Sequence, residues 1–141
     1  MRRSLITAAF FFAFGAAAAA QSTQSFDRIE RGRYLAVLSD CAACHTAPGG
    51  KPFAGGLVLQ TPFGNLITPN VTSDRETGIG DWTDAEFVAA LHDGRGHDGK
   101  RLYPAMPYPA YTKLSDDDVL AMRAYFKTVA PVSNKVVSNQ L

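Results

Sequence analysis

The run Cys41-Ala42-Ala43-Cys44-His45 constrains this chain more than any other feature, because it contains both cysteines of the 141-residue sequence. Two residues between the cysteines let both sulfurs reach the two vinyl groups on one edge of a porphyrin. The next residue then supplies an imidazole to the iron, and histidine is the commonest proximal haem ligand. This order of residues is the attachment sequence of a c-type haem. We therefore predict one covalent haem c, bound through Cys41 and Cys44, with His45 as an iron ligand.

Two other kinds of site use a Cys-x-x-Cys pair. A thioredoxin-like dithiol requires alternating strands and helices around the pair, a pattern that this sequence lacks, and it leaves His45 without a role. A zinc site requires two further ligands at suitable spacing, whereas His92 and His97 lie far along the chain without cysteine partners. Haem attachment is the interpretation that uses every residue of the motif.

The sixth coordination position of a histidine-bound haem iron separates electron carriers from haem proteins that bind or activate ligands. Met106 lies within residues 103–109, where three prolines predict an extended, stiff backbone. A stiff loop holds a thioether near the iron with little further loss of entropy. We expect Met106 to be the sixth ligand, and an ordinary buried methionine is the alternative.

Three other side chains compete with Met106 for the iron. Met122 falls on an apolar helix face and is predicted to lie in the core. His97 lies in a loop with three glycines, which predicts a mobile and hydrophilic segment, so bis-histidine ligation is the less favoured alternative. His92 is late in a predicted helix, where a histidine is favoured by the terminal dipole rather than by a metal.

The first twenty residues have the three zones of a secretory signal. These zones are a basic start at Arg2 and Arg3, an uncharged apolar run, and small residues that end at Ala20. We expect cleavage after Ala20, so that residues 1–20 are a signal peptide and residues 21–141 are the mature domain. An uncleaved membrane anchor is the alternative, although the apolar run is shorter than the ~20 residues that span a bilayer.

Start and stop signals predict three short helices and therefore an all-α domain. The helices are expected over residues 27–42, over residues 83–93, and from Ser115 to a point before Pro131. Glycines and prolines are concentrated between the first and last helices, so long loops are expected to wrap around the haem. The haem then supplies the core that such a chain cannot build from side chains alone. Its apolar faces are expected to contact Phe53, Leu57, Val58, Leu59 and Phe63.

A glycine inside the first predicted helix indicates a close crossing. Gly32 costs ~1 kcal/mol relative to alanine within a helix, so another backbone or ring is expected to pass near it. Tyr125 or Phe126 of the last helix is the expected partner. A tolerated surface glycine is the alternative.

The charge balance limits the partners. The 14 basic and 13 acidic side chains give a net charge of +1, which excludes the basic surface of a nucleic-acid binder. Steering by opposite charge should be weak, so contact with a redox partner is expected to be mostly apolar. The expected contact surface is the haem edge, ringed by the small residues Ala42, Ala43, Ala47 and Pro48.

Several segments together resemble a bacterial periplasmic cytochrome c family. The chain is similar to one haem domain of the cytochrome subunits that serve membrane-bound alcohol, gluconate and related dehydrogenases. The resemblance runs from about Gly32 to Val129. Besides the haem motif it is carried by Gly32-Arg33-Tyr34-Leu35, Pro52-Phe53-Ala54-Gly55-Gly56, Thr61-Pro62-Phe63-Gly64, Thr77-Gly78-Ile79-Gly80-Asp81-Trp82 and Leu102-Tyr103-Pro104-Ala105-Met106-Pro107-Tyr108.

This resemblance implies the class I cytochrome c fold, with Met106 as the sixth ligand. It also implies a periplasmic electron carrier that is not an enzyme, with a dehydrogenase as donor and a terminal oxidase or another cytochrome as acceptor. The related subunits commonly have three haem sequences, whereas this chain has one. The chain is therefore expected to be a free carrier or a permanently docked single-haem subunit, with no transmembrane segment in the mature part.

Two further expectations concern the haem surroundings. Trp82, the only tryptophan, is expected to donate its indole N–H to a haem propionate, and an ordinary core or rim tryptophan is the alternative. A haem peroxidase or gas sensor with a labile sixth ligand is the alternative function of a different class, and Met106 argues against it.

Overall fold

The computed structural model describes residues 12–141, which are mostly helical with one small sheet. Residues 1–11 of the predicted signal peptide lie outside the described residues. An antiparallel hairpin accompanies the helices, so the chain is not purely all-α. The elements are α1 Phe12–Leu38, α2 Cys41–His45, β1 Val58–Thr61, β2 Gly64–Ile67, α3 Asp84–Asp93, α4 Tyr108–Tyr111 and α5 Asp116–Phe126, with a 3-10 turn at His97–Gly99 between α3 and α4.

Two helices begin where local signals predict. Thr83 and Glu86 form a reciprocal capping box at α3, in which each side chain accepts the other residue's backbone N–H at 3.1 and 2.7 Å. Gly94 ends this helix in the left-handed conformation, with φ of 61°. Ser115 caps α5 by accepting the N–H of Asp118 at 3.2 Å. Both helix starts depend on hydrogen bonds between residues three positions apart, so they can be predicted from sequence.

The first helix differs from its predicted bounds at both ends. α1 begins at Phe12 and ends at Leu38, and the haem motif forms a separate helix, α2. The break falls at Asp40, which has a left-handed φ of 51°. α1 has 27 residues, yet none of the helices within residues 12–141 is long and apolar enough to cross a membrane.

The proline-rich segment is only partly extended, which differs from the prediction. Its last part forms α4, which begins at Tyr108 with Pro109 in its first turn. Proline is tolerated there because the first N–H groups of a helix have no intrahelical acceptor. Upstream, the Met106 N–H donates to the Tyr103 carbonyl at 3.2 Å, and the Met106 carbonyl accepts the N–H of Tyr108 at 2.8 Å. The prolines therefore produce a tight turn that leads into a helix.

α1 and α5 cross closely at Gly32. A β-carbon on Gly32 would overlap the backbone carbonyl of Ala121, so only glycine allows the two helices to approach this far. The predicted crossing is confirmed, but its partner is the α5 backbone rather than the ring of Tyr125 or Phe126. The surrounding core contains Leu35, Ala36, Ile79, Phe87, Ala90, Leu91, Val119, Met122 and Phe126.

The C-terminal residues extend the hairpin. Asn65 and Gln140 exchange backbone hydrogen bonds at 2.8 and 2.9 Å, and the Asn139 side chain accepts the Ile67 N–H at 2.9 Å. The Asn134 amide donates to the carbonyl of Ala54 at 2.7 Å. The segment from Asn134 to Gln140 is thus hydrogen-bonded to the hairpin and to the loop before it.

We expect Gly32→Ala to destabilise the protein, although alanine is the better helix former by ~1 kcal/mol. The new methyl group collides with backbone, which cannot rotate away, and overpacking typically costs ~1 to 3 kcal/mol. Urea unfolding of the holoprotein measures the change. Val37→Ala, at a position on α1 that is 67% exposed, is the control and should change stability by under ~0.5 kcal/mol. A Gly32→Ala protein as stable as the wild type would contradict the crossing.

Candidate haem site

One cavity brings the predicted site residues together. It has a volume of about 690 Å³, which lies within the ~300 to 1,000 Å³ typical of cofactor pockets. Cys41, Cys44, His45, Trp82 and Met106 all line it. Most of the remaining wall is apolar and consists of Leu59, Leu66, Ile67, Val71, Ile79, Phe87, Ala90, Leu91, Leu102, Met122 and Phe126.

The single turn of α2 presents the attachment motif to this cavity. Residues three and four apart share one side of a helix, so Cys44 and His45 lie beside Cys41. Both thiols are free. Burial raises the pKa of Cys41 to about 11, so this thiol is protonated at neutral pH. Two unpaired sulfurs at one end of an apolar cavity are what thioether attachment requires.

The imidazole of His45 is oriented by a hydrogen bond to the backbone. Its Nδ1 lies 2.8 Å from the carbonyl oxygen of Pro69. A carbonyl only accepts, so Nδ1 carries the proton and Nε2 keeps its lone pair. Burial lowers the pKa of His45, and the bond to Pro69 opposes this shift only in part. The ring is therefore held as the neutral, metal-binding form, with its partner typical of a ligating histidine.

Both remaining candidate methionines border the cavity. Met106 is half-buried and belongs to the tight turn before α4. Met122 is 1% exposed and packs within the core on α5, as its helical spacing predicts. That Met122 also reaches the cavity is a tertiary feature without a sequence signal.

The other two histidines lie elsewhere in the described chain. His97 Nδ1 is 2.8 Å from Glu86 Oε1, and its ring stacks on Trp82 with centroids 6.1 Å apart. His92 is near the end of α3, with Nδ1 3.6 Å from a carboxylate oxygen of Asp116. Neither is among the residues that line the cavity.

Most of the predicted loop contacts are wrong. Among the five loop residues expected against the haem, Leu59 lines the cavity. Phe53 instead packs edge-on against Phe126 with centroids 5.3 Å apart, while Val58 and Phe63 are 51% and 73% exposed. Leu57 is half-buried outside the lining. Sequence analysis did not predict the hairpin, whose alternation directs neighbouring residues to opposite faces.

The wall residues that sequence analysis missed come from several elements. Leu66 lies on β2, Phe87 and Leu91 on α3, and Leu102 follows the 3-10 turn. The apolar spacing in α3 predicts a buried face but not what that face covers. The remaining polar side chains of the lining are Ser39, Asp40, Thr68, Asn70, Thr77, Arg101, Tyr103, Tyr111 and Asn139.

The residues present fit a haem c. The cavity combines two free thiols, a neutral imidazole with an available Nε2, a thioether and an apolar wall. Haem needs these same groups: sulfur for its vinyl carbons, nitrogen for iron, and apolar surface for its two faces.

Comparison with known proteins gives the same assignment. The sequence profile of the family described as Cytochrome c matches residues 29–130. A nicotinate dehydrogenase component of Pseudomonas putida is 47% identical over 80% of this chain and 10% of its own length. The cytochrome c subunit of the quinone alcohol dehydrogenase of Gluconobacter oxydans is 50% identical over 80% of this chain and 23% of its own.

A third relative is the gluconate 2-dehydrogenase cytochrome c subunit of Pantoea cypripedii, 50% identical over 74% of this chain and 24% of its own length. The chain thus spans between a tenth and a quarter of these relatives. With the profile match and the cavity geometry, we conclude that the chain belongs to the cytochrome c family and carries a covalent haem c.

Proposed function

We propose that this protein is a periplasmic carrier that moves single electrons from a dehydrogenase to a terminal oxidase or another cytochrome. The observation that carries the proposal is the convergence of Cys41, Cys44, His45 and Met106 on one apolar cavity. Haem c bound there supplies an iron that changes oxidation state without any substrate bond being made or broken. The class I cytochrome c fold is part of this proposal.

We propose that His45 and Met106 would bind the iron of the haem. The Pro69 carbonyl keeps the lone pair of His45 Nε2 free for the iron. Met106 lies in a turn fixed by two backbone hydrogen bonds, so little loop entropy is lost when its sulfur coordinates. Histidine and methionine together raise the reduction potential, which suits a protein that accepts electrons from a dehydrogenase.

Polar groups of the cavity wall are assigned to the haem propionates. Trp82 lines the cavity and carries one indole N–H, a donor that stabilises a carboxylate in partly buried surroundings. Arg101 lines the same cavity, is exposed, and supplies a positive charge for a second carboxylate. The indole N–H of Trp82 and the positive charge of Arg101 would thus each bind one of the two haem propionates.

The donor is inferred from the relatives, whose names describe parts of nicotinate, alcohol and gluconate dehydrogenases. A permanently docked subunit of such a dehydrogenase is the second candidate function, and the same names favour it. We place the contact surface around the attachment helix, where Ala42, Ala43 and Pro48 are exposed and Ala47 is half-buried. Export by cleavage after Ala20 remains a prediction.

Covalent attachment is tested by mass. Expression with a haem-maturation system should give a red protein whose denatured mass equals residues 21–141 plus one haem. Cys41→Ala with Cys44→Ala should release all haem into acidic acetone, since no thioether remains, and should lower the holoprotein yield. Ala43→Ser, between the cysteines, is the matched control and should retain the haem. A wild-type protein that loses haem to acetone would exclude attachment.

Axial ligation is tested with two methionine variants. Met106→Ala should keep the covalent haem but lose the weak red-edge absorption band of methionine ligation, lower the potential and bind cyanide faster. Met122→Leu preserves side-chain volume, so it should keep the band and cost under ~1.5 kcal/mol of stability. The assignment is reversed if Met122→Leu removes the band and Met106→Ala does not. Fast cyanide binding by the wild type would favour the peroxidase or sensor alternative.

Apolar docking predicts weak dependence on salt. Reduction of the haem by its dehydrogenase should change less than about threefold between ~10 and ~200 mM salt, although the Debye length shrinks severalfold over this range. Stopped-flow absorbance at the haem band measures the rate. A fall of tenfold or more would show that a local charge patch governs docking.

A further inference from the structure

Arg123 places a positive charge in the hydrophobic core. The residue lies on α5 and is 1% exposed, which makes it one of the most deeply buried side chains among the described residues. Taking a guanidinium out of water is costly unless every donor and the charge itself are compensated. Because arginine does not deprotonate in proteins, the charge is carried into the core.

The compensation of this charge is incomplete. Nη2 donates to the carbonyl oxygen of Trp82 and, at 3.5 Å, to that of Gly80, whereas Nε and Nη1 have no hydrogen-bond partner among the described residues. The nearest carboxylate oxygen, of Asp84, is 3.7 Å from Nε and also pairs with Lys127 at 2.8 Å. Burial lowers the pKa of Arg123, and Asp84 and Glu86 oppose this shift only in part. The positive charge of Arg123 behind the haem pocket is therefore only partly balanced by the carboxylate that it shares with Lys127.

Only one layer of side chains separates the guanidinium from the cavity. Its central carbon lies 5.7 Å from the centre of the Phe87 ring, and Phe87 lines the cavity. Trp82, whose carbonyl accepts from Arg123, lines it as well, and so does Met122, the residue before Arg123 in α5. In this apolar region salt screens little, so a charge acts over longer distances than at the surface.

We propose that Arg123 sets the reduction potential of the haem by its buried charge. Oxidation adds one positive charge to the iron, and a nearby buried cation disfavours that state. Arg123 thereby favours the reduced form and raises the potential, by charge rather than by contact with the haem. The inference rests on the proposed function, since it requires haem in this cavity.

Two variants of Arg123 separate the effect of its charge from the effect of its hydrogen bond. Arg123→Gln keeps an amide donor for the Trp82 carbonyl but removes the charge, and Arg123→Lys keeps the charge. A redox titration followed by absorbance is read at the wild-type midpoint, where reduced and oxidised haem are equal. Arg123→Gln should lower the reduced-to-oxidised ratio at least threefold, and Arg123→Lys should stay within twofold. A tenfold change corresponds to ~59 mV for one electron.

Two results overturn the proposal. Either Arg123→Gln leaves the ratio within twofold of wild type, or Arg123→Lys lowers it as much as Arg123→Gln does, which would indicate a packing role. The covalent haem and the methionine band are recorded on every variant. If both persist while the potential is unchanged, only the role of Arg123 fails; if the wild type lacks either, the proposed function fails.

Surface variants keep the test decisive if substitution of Arg123 prevents folding. Asp84→Asn removes the carboxylate that partly compensates the guanidinium, so it should raise the reduced-to-oxidised ratio. Asp93→Asn, at the other end of α3, is the matched control because Asp93 is an exposed acid on the same helix. The proposal predicts that the reduced-to-oxidised ratio rises at least twofold more in Asp84→Asn than in Asp93→Asn. Equal rises in the two variants would overturn it.

Discussion

The close crossing of α1 and α5 at Gly32 is the contact on which the rest of the structure depends. It holds α1 against α5, and α2 begins with Cys41 three residues after α1 ends at Leu38. The same crossing holds α5 so that Met122 and Phe126 face the cavity. The absence of a β-carbon at Gly32 therefore helps to position the haem-attachment residues and the part of the cavity wall that α5 supplies. Backbone contact of this kind tolerates no compensating rotation, unlike contact between side chains.

The orientation of His45 depends on a second, polar constraint. Pro69, which accepts from His45, precedes a segment whose turns are closed by buried polar side chains. The Asn70 amide donates to Val132 at 2.7 Å and to Thr77 at 3.0 Å, and its oxygen accepts from the backbone of Thr72 at 2.9 Å. These bonds link the loop to the C-terminal segment. Hydrogen bonds buried in this way are costly to break, so the carbonyl that orients the imidazole is held firmly.

Apolar and charged groups have separate tasks around the cavity. The wall excludes water and covers the haem, while the charge of Arg123 lies behind Phe87, outside the lining. A cation on the rim around Ala42 and Ala43 would add a charge to the proposed docking surface. Placed one layer deeper, it influences the iron without altering the rim around Ala42 and Ala43. Tuning of the potential and recognition of partners can therefore change independently.

The sequence alone determines those features of the protein that depend only on residues close together in the chain. The haem motif identifies the cofactor, because two sulfurs and an imidazole at fixed spacing suit little else. Thr83, Glu86 and Gly94 define α3, because capping acts within one turn. Gly32 indicates a close crossing, since a helix retains glycine at a cost.

Only the tertiary structure determines which distant segments meet. Ala121 proves to be the partner at Gly32, and Leu66, Phe87 and Leu102 line the cavity although no local pattern distinguishes them from other apolar residues. The Pro69 carbonyl has no sequence signal either, because every residue has a carbonyl and only folding brings this one to His45. Contacts between residues remote in the chain depend on how the elements pack, and spacing along the sequence does not encode that packing.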